Sequence, residues 1–149
     1  MKDTEYEGLD EVRKQQREVS LLDELKQHEK TFAKFVEWMK NQKKYLDDKN
    51  RFYWRYECGK ASTLYELVYH SIYLTNRELL SLLVEFCDSE GTCIEISTHL
   101  TGGECLFSYS VWNVKEITKS LVNDSFISTR TEATKQAIVK IFELMESER

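Results

Sequence analysis

Two stretches of alternating side chains, Thr92 to His99 and Glu104 to Asn113, flank Leu100-Thr101-Gly102-Gly103, and this pattern constrains the fold more than any other in the chain. In the first, Cys93, Glu95 and Ser97 alternate with Thr92, Ile94 and Ile96. In the second, Leu106, Ser108, Ser110 and Trp112 alternate with Cys105, Phe107, Tyr109 and Val111. A period of two belongs to a strand with unlike faces, and paired glycines supply the positive φ angles that a tight reversal needs. The segment is expected to be an antiparallel hairpin.

The chain has no proline and five glycines, so the other boundaries must be read from caps and periodicity. Leu21, Leu25, Phe32, Phe35, Val36 and Met39 recur at a helical period with His28 in the same stripe, which predicts one long helix ending before Asp47-Asp48-Lys49-Asn50. Phe52 to Glu57 is aromatic and alternating, and is expected as a strand with Phe52, Trp54 and Tyr56 on one face and Tyr53, Arg55 and Glu57 on the other. Thr63 with Glu66 has capping-box spacing and predicts a short helix using Leu64, Leu67 and Val68. Thr75 with Glu78 opens a second helix that runs through Leu79, Leu80, Leu83 and Phe86 toward Gly91. Asn113 with Glu116 predicts a short helix using Val114, Ile117 and Leu121, and Thr129 with Glu132 opens a last amphipathic one. Paired strands and runs of helices without regular alternation define α+β: a small antiparallel sheet of about three strands, including the 92–113 hairpin, packed with a long N-terminal helix, central helices and a C-terminal helix. At 149 residues the expectation is a single domain over residues 1–149, with residues 1–8 outside the ordered part.

Charge and cysteine usage disfavour several classes. There are 21 basic and 26 acidic residues, a net charge of −5, which is the wrong sign for a generic nucleic-acid binder facing a phosphate lattice, so a protein partner is expected and nucleic acid is not favoured. The N-terminal MKDTEYEGLDEVRKQQ is charged where a signal peptide carries its apolar stretch, and no apolar run is long enough to span a bilayer. The expected setting is the cytoplasm, without membrane contact. Cys58, Cys87, Cys93 and Cys105 include no C-x-x-C pair, so no structural metal is expected and the thiols read as free, buried small hydrophobes. No cofactor is expected either.

Three groups of residues resemble catalytic patterns, and none is complete. Cys58-Gly59-Lys60-Ala61-Ser62-Thr63 follows a strand, but Trp54 stands where a phosphate loop has its first glycine, so the backbone cradle cannot form. A cysteine nucleophile with one of His28, His70 and His99 is conceivable, with His99 and Cys105 flanking the hairpin turn, yet no surrounding pattern marks such a pair. Carboxylate pairs such as Asp47-Asp48 and Glu143 with Glu146 read as solvated faces. No catalytic residue is assigned.

The most suggestive surface is the stretch containing Trp38, Lys40, Lys43, Lys44, Tyr45, Lys49, Arg51, Tyr53 and Arg55, where basic and aromatic residues interleave against the sign of the whole chain. Its plain alternative is aromatic core with lysines on a helix's polar end. The long first helix, with its near-heptad stripe, is also a candidate for pairing between chains as a homo-oligomer.

Ser128-Thr129-Arg130-Thr131-Glu132-Ala133 followed by Ala137-Ile138-Val139-Lys140-Ile141-Phe142-Glu143-Leu144 resembles the closing helix of many small accessory proteins encoded by bacterial phages and mobile elements. The likeness covers about the last fifth of the chain, and the preceding strand pair is similar in order. The resemblance implies an accessory role, such as interference with a host defence enzyme, and transfers no catalytic residue. The resulting expectation is a non-enzymatic protein–protein interaction module of this phage-type, inhibitory kind. The alternative is a protein that binds or sequesters a small ligand, a nucleotide or signalling molecule, between the Phe52 to Tyr56 strand and the hairpin.

Overall fold

A computed structural model describes residues 21–60, 67–123 and 126–148. Residues 1–8 and the Thr63 and Glu66 cap lie outside the described residues.

The apolar stripe from Leu21 forms two helices rather than one, α1 (Leu21–Lys26) and α2 (Glu29–Asn41). The reason is a contact distant in sequence. His28, the residue before α2, makes no side-chain cap. Instead the Glu146 carboxylate accepts hydrogen bonds from the backbone N–H of Lys30 (3.2 Å) and Thr31 (2.9 Å) and from the Thr31 hydroxyl (2.8 Å). A negative group at these free N–H donors satisfies them and complements the helix dipole, so the break is stable. Leu25, Phe32, Phe35 and Met39 are all buried in the chain's own core, so the stripe expected to pair two chains is occupied within one.

Helix α2 ends at Asn41, and Lys43, whose φ of 60° is left-handed, reverses the chain into β1 (Lys44–Leu46). β1 pairs antiparallel with β2 (Phe52–Lys60), which pairs antiparallel with β3 (Leu67–Tyr73), giving a three-stranded sheet in the order β1-β2-β3. The Phe52 strand is present as expected. Leu67 and Val68, expected in a helix, are in β3 instead: the run from Val68 to Tyr73 is rich in β-branched and aromatic residues, and pairing with β2 prevails over an upstream capping pattern.

Helix α3 (Asn76–Ser89) opens on Thr75 and Glu78 in a reciprocal capping box and ends before Gly91, at φ 82°. Strands β4 (Thr92–Thr101) and β5 (Glu104–Asn113) pair in register from Thr92 opposite Asn113 to Thr101 opposite Glu104. Gly102 and Gly103 turn the hairpin at φ 54° and 79°, as the sequence pattern requires. The helix expected after Asn113 is absent. The Asn113 side chain accepts from the N–H of Lys115 (3.0 Å) and Glu116 (3.3 Å), as a cap would, but Ile117 adopts a φ of 54° and β6 (Thr118–Val122) returns along β5. A short polar side chain that caps a helix serves equally to close a turn. Helix α4 (Arg130–Ser147) begins at Thr129, whose hydroxyl accepts from the Glu132 N–H at 3.1 Å.

The class is therefore α+β, with two three-stranded antiparallel sheets in place of the single sheet expected. α3 and α4 pack on β4 and β5, where Cys87, Tyr109, Val111, Ala133, Ala137 and Ile141 are buried. Beside them Phe35 is fully buried, with ring centroids 5.2 Å from Phe86, 5.5 Å from Phe52 and 6.3 Å from Phe142. Among the described side chains of the first sheet, Phe52 alone is buried, so it fixes that sheet to the core. The free thiols are not uniformly buried as expected: Cys87 is buried, Cys93 half-buried and Cys105 exposed beside the hairpin turn.

Candidate interaction surface

The loop between β1 and β2 is built on Asp47. Its Oδ1 accepts from the N–H of Lys49 (2.9 Å) and of Arg51 (2.8 Å), and its Oδ2 lies 3.3 Å from the Arg51 Nε. Asn50 takes the left-handed conformation the reversal needs, at φ 63°. The backbone N–H of Arg51 holds the Asp47 carboxyl below its usual range, ahead of the opposing effect of desolvation. The polar cluster Asp47-Asp48-Lys49-Asn50 is thus a hydrogen-bonded loop between the strands it joins.

The strand register places Tyr45 opposite Tyr53 and Tyr53 opposite Tyr73. Directly opposed residues in a sheet share a face, so the three rings form one row across all three strands. Their centroids are 6.0 Å apart at both steps, tilted by 44° and 65°. Two arginines of β2 and its approach lie over the row. The Arg51 guanidinium is 4.1 Å from the Tyr73 ring centroid and donates to the Tyr73 hydroxyl at 3.3 Å. The Arg55 guanidinium is 5.4 Å from the Tyr53 centroid and donates to the Tyr53 hydroxyl at 3.2 Å. Tyr45 is 37% and Tyr73 44% exposed, so this is an outer face.

Of the residues singled out by sequence, the fold brings together Tyr45, Arg51, Tyr53 and Arg55. It separates the others. Trp38 is half-buried on α2 with its ring 5.9 Å from Phe86 and 6.3 Å from Phe35, and belongs to the core. Lys40 is exposed on α2, 3.9 Å from Glu37. Lys43 forms the reversal, and Lys44, opposite Trp54, projects from the other face of the sheet and donates to the Gln42 carbonyl at 3.1 Å. Tyr73 was missed because its segment was read as following a helix. The alternation of Tyr69, Ser71 and Tyr73 with Val68, His70 and Ile72 was the available signal.

The enzyme-like alternative is not assembled at the hairpin. Cys105 lies opposite Leu100 and His99 opposite Leu106, so their side chains leave opposite faces. His99 instead has its Nε2 2.8 Å from the Ser108 hydroxyl and its ring 4.8 Å from that of Phe126. The aromatic strand and the hairpin, expected as walls of one pocket, belong to different sheets. A cleft of about 230 Å³ is lined by Phe52, Tyr73, Leu74 and Leu80. A separate cleft of about 430 Å³ lies between α1 and α4, with Tyr109 at its wall and Lys135, Lys140, Glu132 and Glu143 around it.

No helix among the described residues is long and apolar enough to cross a membrane. Comparisons with known protein families, with curated proteins and with solved structures found no match.

Proposed function

We propose that this chain acts as a non-enzymatic interaction module that contacts a protein partner through the tyrosine and arginine face of its first sheet. The observation that carries the reading is the row Tyr45, Tyr53 and Tyr73, exposed at its two ends, with Arg51 and Arg55 laid on it. Tyrosine and arginine are the residue types that dominate contact energy at protein interfaces, because each buries a large surface while keeping a polar tip. Here the rings and guanidiniums hold one another in place, so little side-chain freedom is lost on contact. An accessory, inhibitory role in the cytoplasm, which the sequence resemblance to phage accessory proteins implies, is part of this proposal, and the free thiols of Cys87, Cys93 and Cys105 fit a reducing compartment.

The test is co-purification from the native host with wild type and with Tyr53→Ala combined with Arg55→Glu. A partner recovered with wild type and lost with the variant, at unchanged circular dichroism, is the expected result. Equal recovery with both removes this face from the account. The second reading, sequestration of a small ligand, rests on the 430 Å³ cleft between α1 and α4, whose size suits a small molecule. A thermal-shift screen with nucleotides addresses it, since a ligand that binds only the folded state raises its stability.

A further inference from the structure

We infer that the partner presents an extended acidic peptide segment to the Tyr45, Tyr53 and Tyr73 face, its carboxylates meeting the Arg51 and Arg55 guanidiniums; this rests on the interaction reading above. The argument begins with charge. The chain carries −5 overall, yet two arginines stand on this face. Arg51 is paired with Asp47, whose carboxylate two backbone N–H groups also engage. Among the described residues Arg55 forms no ion pair, and its guanidinium faces outward with a single tyrosine hydroxyl as its acceptor. A guanidinium has five N–H donors in a planar fork that matches a carboxylate, and among the described residues one Arg55 donor is engaged, by the Tyr53 hydroxyl. Two guanidiniums on one face favour an acidic segment over a basic one.

The same geometry separates a peptide from a single-stranded nucleic acid. Nucleic-acid platforms offer bare ring faces on which bases stack. Here Arg51 already covers the ring of Tyr73 at 4.1 Å and Arg55 that of Tyr53 at 5.4 Å, and neighbouring rings are tilted by 44° and 65° rather than spread flat. Stacked bases would have to displace the guanidiniums. Carboxylates need no such displacement. They bind the outer edges of guanidiniums that the rings hold in position.

The experiment is fluorescence anisotropy on the full chain with three labelled decapeptides, alternating Glu-Ser, Gln-Ser and Lys-Ser, and with labelled ten-nucleotide oligo-dT and oligo-U. Expected is binding of the Glu-Ser peptide at least tenfold tighter than the Gln-Ser peptide, weakened by raising salt from 50 to 300 mM and reduced at least tenfold in Arg55→Glu. Tyr53→Phe, which keeps the ring and removes the hydroxyl that steadies Arg55, is expected to weaken binding less than Arg55→Glu. Equal affinity for the Glu-Ser and Gln-Ser peptides, or tighter binding of either oligonucleotide, overturns the inference. If the acidic peptide fails while Tyr53→Ala with Arg55→Glu still loses its partner, the face stands and only the chemistry assigned to the partner is wrong. If both fail, the interaction reading falls with it.

Discussion

Replacing Phe35 tests how the two sheets are held together. Its side chain is fully buried and touches rings from three other elements: Phe52 of β2, Phe86 of α3 and Phe142 of α4. Phe35→Ala removes the transfer energy of the ring and leaves a cavity bounded by aromatic groups that cannot easily collapse, a loss of about 4 kcal/mol by comparison with other buried phenylalanines. For a chain of this length that corresponds to a fall in Tm of roughly 8–16 °C. Phe35→Leu keeps an apolar side chain with three fewer carbons and is expected to lose about 2 kcal/mol. It is the variant to rely on if the alanine form does not fold. Leu100, 79% exposed at the hairpin, is the control, and Leu100→Ala is expected to change stability by less than about 0.5 kcal/mol. Urea unfolding followed by tryptophan fluorescence gives all three values. A Phe35→Leu loss below about 0.5 kcal/mol, or one equal to that of Leu100→Ala, refutes the placement of this ring at the junction of the core.

Glu146 is held below the usual glutamate range, chiefly by the Thr31 backbone N–H and further by the Thr31 hydroxyl and the Lys30 N–H. Because its folded pKa is depressed, the stability it lends is complete above about pH 4.5 and is lost as pH falls through the folded value. Glu146→Ala is therefore expected to be less stable than wild type at pH 7, with a gap that closes in urea titrations toward pH 3; a gap constant over that range contradicts the cap. Ile117 is β-branched at φ 54° with its side chain 79% exposed, so Ile117→Gly relieves strain and is expected to stabilise by roughly 0.5–1 kcal/mol in urea unfolding, after the greater freedom of glycine in the unfolded chain is set against it. A loss of stability would contradict the left-handed turn. Thiol alkylation mapped by mass spectrometry is expected to modify Cys105 before Cys93, and Cys87 only on unfolding, since Cys87 is buried with its thiol pushed up to about 12 by desolvation. Equal rates at Cys105 and Cys87 would contradict their placement.

The parts of the fold that were legible in the sequence are those fixed locally. The β4 and β5 hairpin followed from alternation and two glycines, and the starts of α3 and α4 from hydroxyl caps paired with glutamates. The parts that were not legible depend on distant partners. The stripe from Leu21 to Met39 keeps a helical period across the break at His28, because both helices face the same core; the break is stabilised by Glu146, more than a hundred residues away. Asn113 makes the hydrogen bonds of a cap without a helix behind it, since β5 offers β6 a free edge. The candidate surface was half visible for the same reason. Tyr45, Arg51, Tyr53 and Arg55 are close in sequence, whereas Tyr73 joins them only through the pairing of β2 with β3, and Lys44 leaves them because neighbouring strand residues point to opposite faces.

The most direct test of the central claim is site-specific photo-crosslinking in the native host, with the photoreactive residue placed in turn at position 73, on the tyrosine row, and at position 98, on the separate β4 and β5 sheet. The account predicts a discrete crosslinked protein adduct from position 73 and none from position 98. An adduct from position 98 alone, or the same adduct from both, contradicts it.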